Sequence, residues 1–268
     1  MSPIHKKGDA ADPNNYRGIA TGNVIPKLFG LVLLRRLTHW CSLTGVIPPN
    51  QAGFMPNNSA DFQVFALLET LKARARKHMD TYVLFLDLQK AYDTVHQGAL
   101  WYVLAKLGIP REFIDLLRAW NARRPVRVKF NGELLPEFMA TKGLPQGDVL
   151  SPLLFNLFIS VLMRLIEQSS AYTGARWPAP CSLSVRDLWY ADDMSALAES
   201  PDQIQALLDI IHQWSSDWGL KVGIGTGKTN AMHVSTEPGR RCTSVLRLGD
   251  DIIEWTDNYR YLGFHLSR

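Results

Sequence analysis

Tyr190-Ala191-Asp192-Asp193 lies between two short apolar runs, Leu183 to Trp189 and Met194 to Ala198. Well upstream, a third apolar run, Tyr82-Val83-Leu84-Phe85-Leu86, delivers Asp87. One carboxylate at a strand end and two adjacent carboxylates in a tight turn make a donor set for a divalent cation. Hard cations such as Mg²⁺ take oxygen ligands, and few protein carboxylates suffice where substrate phosphates complete the shell. The chemistry such a set points to is phosphoryl transfer on nucleotides. Each piece alone has a plainer reading, since an aspartate after a strand is commonly solvated and an Asp-Asp pair commonly sits in a turn or helix cap. Jointly they are more informative. A hairpin presenting Asp192 beside a strand ending at Asp87 gathers like charges, which costs stability unless cations bind.

The elements that must hold these carboxylates are read from periodicity. The first sixteen residues are polar and loop-like. An amphipathic helix is predicted over Lys27 to Cys41, and another from caps at Ser59 and Asp61 to about Lys77, with Phe62, Phe65, Ala66 and Leu68 facing inward. The Asp87 strand follows, then helices over His96 to Leu107 and Arg111 to Asn121. Pro125 to Phe130 alternates apolar and basic residues ahead of an Asn131-Gly132 hairpin turn. Helices are predicted from Ser151-Pro152 to about Glu167 and from Ser200-Pro201 through Trp214. The strand–turn–strand around Asp192 lies between them. Short strands end the chain, near Asn230 to Val234, Val245 to Leu248, Ile252 to Trp255 and Tyr261 to Phe264. The fold class is α+β, a small antiparallel sheet backed by helices.

Composition sets limits. With 46% hydrophobic and 20% charged residues the chain reads as globular rather than disordered. The net charge of +4 is small, but Lys72, Arg74, Arg76 and Lys77 form one basic run. Arg111, Arg118, Arg123, Arg124, Arg127 and Lys129 form a second. Such stripes suit a polyanion or are simply solvated helix faces. Cys41, Cys181 and Cys242 have no zinc-like or disulfide spacing, which indicates a reducing compartment. The Val24 to Leu34 stretch is broken by Pro26, Lys27 and Gly30, so no signal peptide or membrane span is expected.

Phe85-Leu86-Asp87-Leu88-Gln89-Lys90-Ala91-Tyr92-Asp93-Thr94-Val95 resembles the first catalytic motif of reverse transcriptases of non-LTR (LINE-like) retrotransposons. Gly143-Leu144-Pro145-Gln146-Gly147-Asp148 through Asn156 resembles the second motif, and Tyr190 to Asp193 the third. Upstream, Lys6-Lys7-Gly8-Asp9, Asn15-Tyr16-Arg17-Gly18-Ile19 and Gln51-Ala52-Gly53-Phe54 are similar to the fingers motifs. Downstream, Gly227-Lys228-Thr229 and Tyr259-Arg260-Tyr261-Leu262-Gly263 are similar to the last palm motifs. Order and span, rather than any single motif, carry the resemblance.

The resemblance implies a right-hand polymerase, with residues 1–80 mostly fingers and 81–268 mostly palm. It implies template-directed addition of deoxynucleotides to a DNA primer 3′ end on an RNA template. Asp87, Asp192 and Asp193, with the Leu88 carbonyl, would hold two Mg²⁺ ions, with Mn²⁺ as substitute. Lys228 would meet the leaving pyrophosphate. Tyr92 would exclude a 2′-hydroxyl by bulk, and Gln146 would contact the nascent pair. Arg17 and Lys7 would reach the triphosphate, and Tyr261, Leu262 and Gly263 would support the primer. Outside the motif, Tyr92 also reads as a core aromatic and Lys228 as a surface lysine. No membrane partner is implied; localisation is intracellular, with nuclear access for chromosomal insertion.

The chain departs from the family pattern in two places. Gly223-Ile224-Gly225-Thr226-Gly227 replaces the usual asparagine of the fourth palm motif, which leaves the loop before Lys228 unspecified. The thumb that would follow the last palm motif is expected to be absent, as is an endonuclease segment. The alternative function is therefore a truncated, catalytically incompetent remnant that at most binds nucleic acid. Gly225-Thr226-Gly227-Lys228-Thr229 also suggests a P-loop, but that pattern needs glycine where Val222 stands.

Overall fold

The computed structural model describes residues 1–6, 8–122, 125–130, 132–140, 142–237 and 239–268, with backbone alone at Asn14 and Ala122. Lys7, Arg123, Arg124 and the Asn131 of the predicted hairpin turn lie outside the described residues. From the start, the chain runs β1 (Ser2–His5), β2 (Tyr16–Ile19), α1 (Val24–Thr44), α2 (Ala60–Ala75) and β3 (Thr81–Leu86). Three helices follow, α3 (Ala91–Thr94), α4 (Gln97–Lys106) and α5 (Arg111–Ala122). Then come β4 (Pro125–Val126), β5 (Lys129–Phe130), β6 (Glu133–Leu134), β7 (Phe138–Met139) and α6 (Ser151–Gln168). The strands β8 (Ala175–Arg176), β9 (Ser184–Val185), β10 (Asp187–Tyr190) and β11 (Asp193–Ala198) lead to α7 (Pro201–Trp218). The last elements are β12 (Asn230–Val234), β13 (Leu246–Leu248), β14 (Asp251–Ile253), β15 (Asn258–Tyr261) and β16 (Phe264–Ser267). Helices mixed with small antiparallel sheets are the expected α+β composition.

The residues divide into two compact units, the first comprising Met1–Ile47 and Lys90–Phe158. Here β1 pairs antiparallel with β2, Ile4 opposite Arg17. The opening segment expected to be loop is therefore half of a hairpin. Its Ser2-Pro3-Ile4-His5 run carries no apolar alternation, and backbone pairing forms it. The helix predicted from Lys27 starts three residues earlier, at Val24, because Pro26 is tolerated in a first turn. α1 buries Gly30, Leu33, Leu37 and Cys41 at helical spacing, and Gly45 closes it in the left-handed region with its N–H on the Cys41 carbonyl.

The second unit comprises Pro48–Gln89 and Ile159–Arg268. Its centre is a four-stranded antiparallel sheet in the order β10-β11-β3-β12. Met194 pairs with Leu86 and Ser195 with Phe85 on one side of β3, and Asn230 pairs with Phe85 on the other. β3 is buried almost throughout, as expected of a central strand read from a continuous apolar run. Val83 and Phe85 join a core cluster with Val64 and Leu67 of α2, Leu197, Met232, Tyr261 and Leu266. α7 packs along β3 and β11 and buries Ile204, Leu207, Leu208, Ile211 and Trp214, the predicted stripe. Ser200 caps it, accepting from the Gln203 N–H.

Two expectations about this unit are corrected. Ser59 does cap α2, but Phe62 and Phe65 are each 63% exposed, and the buried positions are Gln63, Val64, Leu67, Thr70 and Arg74. The inward face follows the aliphatic Val64–Leu67 pair and a buried guanidinium, not the larger aromatic rings. The strand predicted over Tyr261 to Phe264 is instead the bend between β15 and β16. Tyr261 pairs with Phe264, and Leu262 and Gly263 take φ of 46° and 90°. Positive φ at both central residues is the geometry of a two-residue hairpin turn.

Candidate active site

The carboxylates reach one end of the four-stranded sheet by strand register. Asp87 directly follows β3. The β10–β11 hairpin pairs Tyr190 with Asp193 and leaves Ala191 and Asp192 as its two-residue turn. Ser195 opposite Phe85 fixes the strand offset, so Asp193 falls opposite the Asp87 position and on the same face by alternation. Tyr259 stacks flat on Phe85 on that face, with ring centroids 4.1 Å apart. Burial pushes the Tyr259 hydroxyl well above its ordinary pKa, and the negative charges of Asp87 and Asp193 add to the shift. Tyr261 is shifted the same way by burial, with Ser195 working against the rise and the negative charge of Asp193 adding to it.

Asp87 is held by the loop that replaces the family's asparagine. The Gly223 N–H donates to the Asp87 carbonyl at 2.7 Å, and the Thr229 hydroxyl accepts from the Asp87 N–H at 3.1 Å. A methyl group on Gly223 would lie 2.2 Å from Asp87 Oδ2. The glycine therefore provides the space in which this carboxylate sits. The sequence showed a glycine-rich stretch here without showing which glycine mattered or why. Lys228 closes the same corner, its Nζ 3.1 Å from Oδ2 and 3.3 Å from Oδ1 of Asp87. The Tyr259 hydroxyl donates to the Lys228 carbonyl at 2.8 Å.

Whether this corner fits a divalent ion is tested by its donors. They are hard carboxylate oxygens, and Asp87 already faces a cation in the Lys228 ammonium. Among the described residues no group of three His, Cys, Asp or Glu side chains is gathered to hold an ion unaided. The fit is thus to a site of few carboxylates that shares its ion with substrate oxygens.

In the first unit the structure ties down two of the predicted nucleotide-site residues, Tyr92 and Gln146, and sets Arg17 on the strand next to the second motif. The Tyr92 ring stacks on Phe155 of α6 at 4.7 Å. The Leu144 N–H donates to the Tyr92 carbonyl at 2.7 Å and the Gly143 N–H to the Val95 carbonyl at 2.9 Å. The first-motif helix α3 thereby pins the second motif. Gln146 donates from Nε2 to Asp93 Oδ1 at 3.5 Å, and its carbonyl accepts from the Ala20 N–H at 2.7 Å. Ile19 bridges Gln146, which places the motif beside β2 and its exposed Arg17. Of the residues expected to support a primer, Tyr261 is 3% exposed within the core, Leu262 is half-buried against that core, and Gly263 is exposed at the hairpin bend.

Sequence reasoning did not find the residues that hold the Tyr190–Asp193 turn. Asp187 is buried and accepts from Trp189 Nε1 at 2.7 Å and Asn50 Nδ2 at 2.5 Å. Gln51, 1% exposed, bonds the Ala191 peptide. Its presence in a fingers-like motif was the only signal, and that motif gave no partner.

Residues 4–266 match the family model described as reverse transcriptase (RNA-dependent DNA polymerase). The chain is 26% identical to a Pol polyprotein of the type-2 retrotransposable element R2DM of Drosophila melanogaster, across 98% of this chain and 24% of the relative. It is 27% identical to the RNA-directed DNA polymerase of the mobile element jockey of Drosophila funebris, across 96% of this chain and 27% of the relative. The chain thus spans about a quarter of the length of these relatives. Among solved structures, an apo telomerase from Candida tropicalis aligns over 92% of this chain and 48% of its own, with TM-score 0.57 and 15% identity. A Candida albicans telomerase in complex with a fragment of telomeric RNA aligns over 91% and 37%, with TM-score 0.54 and 13% identity. At those identities the likeness is one of fold.

Proposed function

The chain belongs to the reverse transcriptase (RNA-dependent DNA polymerase) family, and from that premise we propose that it adds deoxynucleotides to a DNA primer 3′ end, copying an RNA template, in the service of retrotransposition. The observation that carries the reading is the convergence of Asp87 and the Asp192-Asp193 turn on one end of a single antiparallel sheet. The sheet of residues 81–268 is the palm in this reading, and residues 1–80 contribute mostly fingers.

Two Mg²⁺ or Mn²⁺ ions, held by Asp87, Asp192, Asp193 and the Leu88 carbonyl, would ease deprotonation of the primer hydroxyl and offset charge on the leaving group. Lys228, already on Asp87, holds a positive charge and a proton for departing pyrophosphate. Tyr92, braced by Phe155, limits space at the incoming sugar. Gln146 meets the nascent pair, where Gly147 lets the backbone come close. Arg17 supplies charge for the triphosphate, and the Leu262-Gly263 bend supports the primer. Action on chromosomal DNA requires nuclear access.

Primer extension on an RNA template with Mg²⁺ tests the reading. Asp192→Ala should lower extension by about 10²–10³-fold, the scale for removing one group that stabilises transition-state charge. No extension by either protein, with salt-sensitive RNA binding retained, would favour a binding remnant instead.

A further inference from the structure

The Tyr190–Asp193 turn is gripped from outside its own hairpin. The Trp189 N–H donates to the Asn50 carbonyl at 3.0 Å, and the Ala52 N–H donates to the Trp189 carbonyl at 2.9 Å. Residues 50–52 thus form a short parallel bridge to β10. Beyond that bridge the side chain of Gln51 continues the pairing. Its Oε1 accepts from the Ala191 N–H at 2.8 Å, and its Nε2 donates to the Ala191 carbonyl at 3.2 Å. The same Oε1 accepts from the Gly53 N–H at 2.8 Å. A side-chain amide therefore engages both ends of one residue, as a strand neighbour would.

Ala191 needs such support. Its φ is +57°, and it is the first central residue of a two-residue turn whose second central residue does not share the positive φ. That pattern is ordinarily given to glycine, because a side chain in this region costs about 1–2 kcal/mol. Strained backbone of this kind persists where its surroundings over-determine it. The approach is also close: a methyl group on Gly53 would lie 2.1 Å from the Ala191 nitrogen and 2.7 Å from the Tyr190 carbonyl carbon.

The geometry points to Gln51 as a positioning residue: its amide fixes the Ala191 peptide in the left-handed region and so aims Asp192, the next residue, at the metal-binding corner. This inference rests on the reading of Asp192 as a metal ligand. Both halves of the amide are required. A carboxylate there still accepts from Ala191 and Gly53 but turns negative charge on the Ala191 carbonyl, and a thioether does neither.

The test compares wild type, Gln51→Met, Gln51→Glu and Asp192→Ala in the full chain. It reads the hydrogen-exchange protection of the Ala191 amide, Mn²⁺ affinity by electron paramagnetic resonance titration with a primer–template and a deoxynucleotide present, and thermal unfolding. Gln51→Met should lose about five- to a hundredfold of Ala191 protection, the range for a buried donor left unpaired. It should also weaken Mn²⁺ binding by about tenfold, in the direction of Asp192→Ala. If Gln51→Met does not fold, Gln51→Glu decides the matter. Its carboxylate still accepts from the Ala191 N–H, so protection of that amide should hold, while repulsion at the Ala191 carbonyl should weaken Mn²⁺ binding by about tenfold. Mn²⁺ affinity at the wild-type value in a folded Gln51 variant, whatever its melting temperature, overturns the inference and leaves the metal reading standing. Wild type that binds no Mn²⁺ overturns both.

Discussion

Asp87 is placed by contacts too close to tolerate change. The Gly223 φ lies outside the left-handed region, so alanine is allowed there by the backbone. What forbids it is the 2.2 Å separation between the added carbon and Asp87 Oδ2. Gly223→Ala should therefore displace the carboxylate, lower primer extension at least about tenfold and cost about 1–3 kcal/mol, the usual scale of overpacking. Steady-state extension alongside a urea melt checks both effects, and wild-type extension would refute this account of the glycine. Asp187 makes a pH-dependent case. Burial pushes its carboxyl from 3.8 up to about 6, against the Trp189 hydrogen bond, the Arg186 charge and the Asn50 hydrogen bond, with Glu167 adding to the rise. The folded chain thus keeps this proton to higher pH than the unfolded chain. Its contribution is full below about pH 4 and lost as pH rises through about 6, a decline on the order of 3 kcal/mol. Asp187→Asn keeps an acceptor for Trp189 and Asn50 without the buried charge. Urea midpoints should be flatter with pH for this variant between about 4 and 6, and higher than wild type at pH 8. Parallel profiles for the two proteins would remove Asp187 from the account.

At the scale of elements, α2 shows where sequence reasoning holds and where it stops. Its start was legible because Ser59 caps it through a local bond to the Phe62 N–H. Its inward face was not, because that face is set by residues remote in sequence. Arg74, read as one of a basic run, is 2% exposed and spends its guanidinium on Thr81, the Arg176 carbonyl, Glu199 and the Asp80 carbonyl. Lys72, Arg76 and Lys77 of the same run do stay exposed. The Leu262-Gly263 bend was missed for the opposite reason: its apolar run resembles a strand, and only positive φ at both residues reveals a turn. The central strands and α7 were legible because a buried β3 and a helical apolar stripe are local patterns. The α2 contrast yields its own prediction. Arg74→Met should cost about 3–5 kcal/mol by leaving two carbonyls without their donor and Glu199 with Arg176 alone, while Phe65→Ala, on the exposed side, should change stability by no more than about 0.5 kcal/mol. Equal effects in chemical denaturation would mean the buried face has been assigned wrongly.

At the scale of the whole molecule, the motif order was legible along the chain, while its division into two units was not. Each unit takes two separate stretches of sequence; Pro48-Pro49 mark the first crossing, and nothing local marks those at 89 and 158. Charge is the property that belongs to the molecule as a whole. A net charge of +4 is small for a partner of a polyanion, so on the proposed function affinity would come from exposed cations such as Lys72, Arg76 and Lys77 rather than from bulk attraction. Arg111 and Arg118, also exposed, sit only 3.7 and 3.5 Å from Asp115, and surface pairs of that kind hold their partners weakly. Those arginines can exchange Asp115 for a phosphate at little cost. A protein that copies any template should direct such contacts to the backbone, since base contacts would select sequence. Each phosphate neutralised contributes a slope of about −0.7 to −0.9 in log affinity against log salt. With about four phosphates engaged, binding to an RNA–DNA hybrid should weaken roughly a hundredfold between 50 and 200 mM salt. Two hybrids of unrelated sequence should differ by less than about threefold, because the phosphates are common to both. Fluorescence anisotropy titrations across that salt range measure both quantities. A flat salt response, or strong preference for one sequence, would mean that the exposed cations are not the contact surface.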